Sequence, residues 1–441
     1  MASDSVDTVK IGVWTATFMV IANMIGTGVF TSLGFQVAGI PSAFPIVLLW
    51  VLGGVAALCG ALVYGELGTA LPRSGGEYHL LSRIMHPVLG FLSGWVSVTV
   101  GFAAPTALAA IAFSTYLSTA FESVRVAHTA AALVVFFTVL HSVSIWWGTR
   151  FTNLLTAVKV VILLVLIVSS YRVASPEDIS VFPQTGDWGL VTTPAFAVSL
   201  VYVGFAYTGW NAAIYIVGEM ENPSRDLPRA LFIGTAIVLV LYTFVNFGFM
   251  YAVPFDELAG QIEVGYLSAS KAFGTAGGGF MAVTIALILT STVSVMIYVG
   301  PRIIQIMGED IPILKPLARK NARGIPIYAL IVQSAITLGF IYTATFQEVL
   351  LYAGFTLNLI TVLTVSGVFV LRRREPDIER PYRTWGYPWP PIVFLVLSGW
   401  SLTFMLVTQP RESLAGLATL MLGLVIYGID KARTRWLMRG N

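Results

Sequence analysis

Twelve apolar runs, each long enough to cross a bilayer, follow one another along the chain with only short polar joints between them. An α-helix rises 1.5 Å per residue, so about 20 apolar residues cover a hydrocarbon layer of roughly 30 Å. The runs cover residues 11–36, 43–71, 87–118, 127–145, 150–171, 191–217, 229–252, 267–300, 326–345, 347–371, 387–408 and 412–430, here called segments 1 to 12. In lipid every backbone N–H and C=O must find a partner within protein, which leaves only helices and closed barrels as spanning structures. Runs of this length therefore predict an all-α membrane protein with twelve transmembrane helices. No joint is long enough to fold separately, so residues 1–441 read as a single polytopic domain. Only 11% of residues are charged, against about 25% in water-soluble domains.

Lysine and arginine set the predicted orientation. With the N-terminus inside, the inner joints and tails hold Lys10, Arg73, Arg83, Arg150, Arg225, Arg229, Arg302, Lys315, Arg319, Lys320, Arg323, Arg372, Arg373, Arg374, Arg380, Arg383, Lys431, Arg433, Arg435 and Arg439. The outer joints hold only Arg125, Arg172, Lys271 and Arg411, with most of the loop acids. This positive-inside bias predicts both termini in the cytoplasm and a multi-pass protein of the cytoplasmic membrane. The basic surplus is thus a topology signal that meets anionic lipid, and no nucleic-acid partner is expected. Met1 to Lys10 carries Asp4 and Asp7 in place of a basic region, so no cleaved signal peptide is expected. The one cysteine, Cys59, lies inside segment 2, which rules out an intrachain disulfide. His79, His86, His128 and His141 have no metal-ligand spacing, and no phosphate-binding loop occurs, so neither a metal nor a cofactor is expected.

Two segments are interrupted by polar and glycine residues. Segment 1 contains Asn23-Met24-Ile25-Gly26-Thr27-Gly28-Val29-Phe30, and segment 6 contains Val203-Gly204-Phe205-Ala206-Tyr207-Thr208-Gly209-Trp210-Asn211. Glycine lowers helix propensity and lets another group approach the backbone. Freed N–H groups at the start of a half-helix suit an anion such as a carboxylate. Small residues also serve plain helix packing, so each break alone has two readings. The breaks are five segments apart. Five is odd, so the second set of five runs opposite to the first, the pattern of an inverted repeat with its binding site at the repeat interface.

These residues carry a family resemblance. Gly26-Thr27-Gly28-Val29-Phe30, Tyr64-Gly65-Glu66-Leu67 with Pro72-Arg73-Ser74-Gly75-Gly76-Glu77-Tyr78, the segment 6 break, Glu219-Met220-Glu221-Asn222-Pro223 with Pro228, and Pro301-Arg302 with Met307 to Pro312 resemble the amino acid–polyamine–organocation permeases. Within them the chain is similar to the L-type amino acid transporter branch and its bacterial relatives. The resemblance implies a leucine-transporter-like fold: helices 1–5 over 11–171, an inverted second set of helices 6–10 over 191–371, and two further helices over 387–430. It implies no enzyme activity, and a secondary transporter of L-α-amino acids working as exchanger or proton-coupled symporter.

The expected site follows from both lines. A substrate carboxylate is assigned to the N–H groups of Thr27, Gly28 and Val29 beside Gly26. The α-ammonium is assigned to carbonyls near Ile21 and Ala22 and near Gly204, Phe205 and Ala206. Thr208 and Asn211 complete the set, Asn211 either facing substrate or satisfying unwound carbonyls. The resemblance makes Phe205 the aromatic gate. Lys159 lies nine residues beyond Arg150, roughly 13 Å into the layer and too deep for its stem to reach either surface. Charge there is costly and functional by default. In resembling transporters such a lysine replaces a bound sodium ion, so its ammonium is expected on a carbonyl near Ile21 and on Ser291, Thr292 and Ser294, as a fixed cation or as a proton carrier. Glu66 is expected to anchor an inner gate with basic loop residues, and Glu219 to be structural. Asn246 matches a polar position of the branch, whereas Phe249 stands where the branch often has tyrosine.

Asp and Glu are absent from the middles of segments 1, 3, 6, 8 and 10, which favours neutral substrates. Cationic amino acids or polyamines are the alternative cargo, and a membrane-embedded enzyme is the alternative class, for which no convergent acid, base and nucleophile are found. The joint 118–126 lacks the cysteine that would bind a covalent ancillary subunit, so none is expected.

Overall fold

The computed structural model describes residues 10–73, 75–143 and 146–439. Met1 to Val9 with Asp4 and Asp7, Ser74, and the side chains of Arg150, Arg435 and Arg439 lie outside the described set. Among the described residues the chain is helical, without a named strand. Among the described residues nine helices are long and apolar enough to cross a membrane: Val13–Thr31 (including the first break), Ala43–Ala70, Pro87–Ser118, Val126–Val143, Pro223–Ala252, Val264–Asp310, Phe346–Arg374, Trp389–Thr408 and Pro410–Arg433. Shorter apolar helices Ala157–Ser170, Pro194–Ala206 and Ile327–Thr343 stand where segments 5, 6 and 9 were expected. Segment 6 is short because its helix stops at the second break.

Local signals account for several ends. Thr345 and Glu348 form a reciprocal capping box that starts segment 10, and Arg372, Arg373 and Arg374 close its last turn, where cations meet the helix dipole. Thr193 caps segment 6 through the Phe196 N–H, with Pro194 at the first helical position. Segment 3 opens into a π turn at Ser97–Gly101 before Ala103–Ser118. Segment 8 departs from expectation. It runs to Asp310 instead of ending at residue 300, and bends at Gly274, whose φ is +73°. Pro301 removes one backbone donor, and packing outweighs that loss. A Cβ at Gly300 would stand 2.0 Å from Gln333 Oε1 in segment 9, so the helix is clasped at that point.

Segments 2 and 7 pack along their lengths, as do segments 3 and 8; segment 1 lies on segment 7 and segment 6 on segment 2. Segments 4, 11 and 12 present exposed apolar side chains such as Phe136, Val139, Val396, Val407 and Leu414, the face a bilayer would cover.

One end of the bundle is tied by Glu66, fully buried near the close of segment 2. Arg372 at the end of segment 10 holds it bidentately, Nε to Oε1 at 2.8 Å and Nη2 to Oε2 at 2.7 Å. The Thr384 N–H donates to Oε2 at 2.7 Å, and Arg380 Nε stands 3.5 Å from Oε1. The expected anchoring of Glu66 by basic loop residues is what the geometry contains. A second pair, Arg83 with Glu375, joins the same end but is largely exposed, at 48% and 31% for the two side chains. Removing one partner of a buried pair strands the other charge, whereas exposed pairs contribute little. Arg372→Ala is therefore expected to cost about 3 kcal/mol, and Arg83→Ala less than about 1 kcal/mol. Thermal unfolding of both variants in detergent checks the contrast; equal shifts would refute it.

Candidate functional site

Both sequence breaks are structural breaks. The first helix ends at Met24, and the chain restarts as a helix at Thr27 after Gly26 (φ −130°, ψ −149°). The second ends at Ala206 and restarts as the 3-10 helix Ala212–Glu219, after Gly209 at φ +99°. That backbone conformation strains any residue with a Cβ. The breaks face each other. A Cβ at Gly28 would lie 2.5 Å from Ala206 Cα, and one at Gly209 would lie 2.8 Å from the Asn23 carbonyl carbon. Residue numbers rise along one break as they fall along the other, so the two run head to tail. Ile11, the first residue of segment 1, adds a bridge to the far end of the 3-10 helix: its N–H donates to the Glu219 carbonyl at 2.9 Å, and its carbonyl accepts from the Glu221 N–H at 3.1 Å. Glu219 thus contributes its backbone, in keeping with a structural role.

Where the broken backbone's polar groups go decides what the site can bind. The Ile21 carbonyl accepts the Ile25 N–H at 2.9 Å. The Met24 carbonyl accepts the Tyr242 hydroxyl at 2.6 Å, and the Phe30 carbonyl accepts Tyr116 at 2.7 Å. Tyr116 in turn accepts the Gly265 N–H at 3.0 Å. The Phe205 carbonyl takes both the N–H and the hydroxyl of Thr208, at 3.0 and 2.6 Å. Of the expected ammonium acceptors, the Phe205 carbonyl therefore already accepts two hydrogen bonds and the Ile21 carbonyl one. Among the described residues no hydrogen bond reaches the carbonyls of Ala22, Gly204 or Ala206, or the N–H groups of Thr27, Gly28 and Val29. Tyr116 and Tyr242 were missed from sequence. Their signal is a phenol inside an apolar run, which must find a partner when buried.

The side chains divide. Gly204, Phe205 and Thr208 line a cavity of about 80 Å³ with Asn358, Thr361 and Ser401, on the face of segment 6 turned to segments 2, 10 and 11. Ile21, Ala22, Gly26, Thr27, Gly28 and Val29 do not line it. Phe205 is buried. Asn211 does neither of the things expected: its amide donates to Glu77 Oε1 at 2.7 Å.

Lys159 is buried, at 6% exposure, and its ammonium donates to Thr292 Oγ1 at 3.0 Å. This joins segments 5 and 8. The rest of its expected shell is corrected by the structure. Ser291 donates to the Ile288 carbonyl in its own helix, Ser294 bonds His141 Nε2 at 2.9 Å, and the Ile21 carbonyl accepts the Ile25 N–H, with no hydrogen bond from Lys159. Serine hydroxyls in a helix readily satisfy themselves on the preceding turn, which spacing alone does not reveal. His141 was placed near a segment end without a role; it is buried between Phe137 and Tyr298. Asn246 is buried and donates to the Tyr242 carbonyl at 2.8 Å, so it steadies the turn carrying the hydroxyl that reaches segment 1. Phe249 is buried and offers no hydroxyl, and Tyr242, two turns earlier, supplies one instead. Among the described residues no group of three or more His, Cys, Asp or Glu could hold a metal ion.

A bundle of apolar helices interrupted at two facing breaks is the architecture of a membrane carrier. The family described as amino acid permease matches residues 11–429, and the chain belongs to it. The chain is 29% identical over 433 residues to the large neutral amino acids transporter small subunit 2 of Mus musculus, covering 95% of this chain and 80% of the relative. It is 26% identical over 426 residues to the b(0,+)-type amino acid transporter 1 of Mus musculus, covering 95% and 87%. To the Asc-type amino acid transporter 1 of the same organism it is 28% identical over 428 residues, covering 95% and 80%. The chain is thus an amino acid permease with membrane-spanning helices, not an enzyme.

Gly28→Ala is expected to weaken both stability and substrate binding, because its Cβ collides with Ala206 backbone that has no room to retreat. Adding Ala206→Gly should recover part of both. Scintillation proximity binding and thermal unfolding on the two proteins measure this; affinity unchanged in Gly28→Ala would remove the first break from the site.

Proposed function

We propose that this permease moves neutral L-α-amino acids across the cytoplasmic membrane by alternating access, one helix bundle rocking against another about the paired breaks. The observation that carries the reading is the set of unsatisfied main-chain groups gathered where the breaks meet. Donors on Thr27, Gly28 and Val29 suit a carboxylate, and acceptors on Ala22, Gly204 and Ala206 suit an ammonium. Main-chain recognition of the zwitterion leaves the side chain to Phe205, Thr208 and their neighbours. Phe205 serves as the gate that covers the ligand. The absence of mid-span acids and the name of the first relative above both support neutral cargo; a cationic amino acid or polyamine is the competing substrate.

The proposed architecture is twelve transmembrane helices, with residues 11–171 and 191–371 as inverted repeats, helices over 387–430 appended, and both termini cytoplasmic. Supporting it, segment 1 lies on segment 7 as segment 6 lies on segment 2, and segment 8 meets segment 5 as segment 3 meets segment 10, the exchange a shift of five helices requires. The chain is proposed to work without a covalent ancillary subunit. Certain relatives are named as small subunits. In this chain the sole thiol, Cys59, lies in the helix Ala43–Ala70.

Lys159 with Thr292 is proposed as the coupling element in place of a sodium ion, Ser291 and Ser294 being engaged elsewhere. In proteoliposomes, uptake of a labelled amino-acid panel with and without internal amino acid and a pH gradient separates exchange from proton symport. Neutral amino acids are expected to be taken up without sodium. Lys159→Ala is expected to lose most uptake, at least about tenfold, since a buried cation bridging two helices is removed. Wild-type rate and pH response in that variant would refute its role, and uptake of no amino acid by the intact protein would refute the function.

A further inference from the structure

Glu77 stands outside the site described above. It lies in the first turn of the short helix Gly76–Ile84 that follows segment 2, and is 7% exposed. Three donors converge on its carboxylate. The Tyr64 hydroxyl reaches Oε1 at 3.0 Å, the Asn211 amide reaches Oε1 at 2.7 Å, and the Tyr215 hydroxyl reaches Oε2 at 2.6 Å. Two of them, Asn211 and Tyr215, belong to the chain just past the second break. Among the described residues no lysine, arginine or histidine forms an ion pair with Glu77, whereas Glu66 has two arginines.

The turn is built for this contact. Gly76 has φ +56°, and a Cβ there would stand 2.2 Å from Tyr215 Cε1, so only glycine lets the turn press onto that ring. Trp210 packs edge-on to Tyr64 with ring centroids 4.7 Å apart, and its ring closes over Gly60. Everything from Trp210 to Tyr215 is thereby held to segment 2 and its following turn.

A buried carboxylate is tolerated only while its acceptor oxygens are satisfied. Here two of the three donors, Asn211 and Tyr215, come from the element that would have to move, and the third, Tyr64, stays with segment 2. Docking of the 3-10 helix and burial of Glu77 therefore depend on each other, and the contact makes or breaks as a unit. The two anchors differ in what parting costs. Separating Glu66 from its arginines leaves opposite charges apart; separating Glu77 from neutral donors needs only that water replace them. We propose that Glu77 is a positioning residue, a releasable latch that holds the part of segment 6 beyond the break and whose release opens that end of the substrate path. This rests on the alternating-access reading above.

The test is thiol accessibility in a Cys59→Ala background carrying Ala213→Cys, a fully buried position on the 3-10 helix. The protein is labelled in detergent with a small methanethiosulfonate reagent. Tyr215→Phe removes one hydrogen bond and Glu77→Gln turns one acceptor into a donor; each is expected to raise the labelling rate about fivefold. Glu77→Ala removes all three and is expected to raise it about tenfold or more. In proteoliposomes the same variants should lower maximal exchange rate while KM stays within about threefold of the parent, because the zwitterion's contacts are intact. A merely structural residue would lower thermal stability without moving labelling or splitting rate from KM. Labelling unchanged in all three variants, with elution as in the parent, overturns the latch whether or not melting is lowered. If Glu77→Ala does not fold, Tyr215→Phe decides. Labelling needs no substrate, so its outcome stands apart from that of the uptake panel.

Discussion

Everything in this permease answers to one obligation: inside lipid a helix cannot open unless something else satisfies the groups it frees. Two helices open here, and the protein meets the obligation mostly from a distance. Tyr242 of segment 7 caps Met24, Tyr116 of segment 3 caps Phe30 while holding segment 8, and Tyr207, the first residue of the second break, ties that break to segment 2 through the Trp50 carbonyl at 2.9 Å. These hydroxyls, with the tilted and edge-on rings of Trp50, Tyr207 and Tyr242, frame the breaks. Against this frame stand the few main-chain groups at the meeting of the breaks that are proposed to bind substrate.

The glycines at that meeting show that packing and function are one constraint here. Gly28 allows Ala206 to approach, and Gly209 allows Asn23 to approach, so the breaks are pressed together. The same missing side chains bring donors of one break beside acceptors of the other. A carrier must also separate what it has packed. Its two carboxylate anchors at one end differ in kind: arginines hold Glu66 by charge, and neutral donors hold Glu77, the difference on which the proposed latch rests.

Much of this was legible in sequence, and the reason is range. Spanning length, helix interruption by glycine, and the pairing of two breaks five segments apart are local properties or counts, readable without contacts. Glu66 was legible because a buried acid six residues from Pro72, at an end rich in arginine, has few possible partners. The partners of the breaks were not legible. Tyr242 is 218 residues from Met24, and Tyr116 is 86 from Phe30. Ser291, Thr292 and Ser294 look equivalent as a cluster, yet helix rotation sends one to Lys159, one to His141 and one back to its own turn. Asn211 was read as a site residue because it follows the break; a turn of 3-10 helix aims it at Glu77.

The sequence by itself determined a helical membrane protein with two interrupted spans and a buried lysine, because hydrophobic length, glycine and isolated charge act through the bilayer and the backbone alone. Only the tertiary structure decided which freed carbonyls remain open, which hydroxyl holds Lys159 and which acid holds the broken helix. Those choices turn on side-chain direction to within a few ångströms, and a hydrogen bond is lost over that distance.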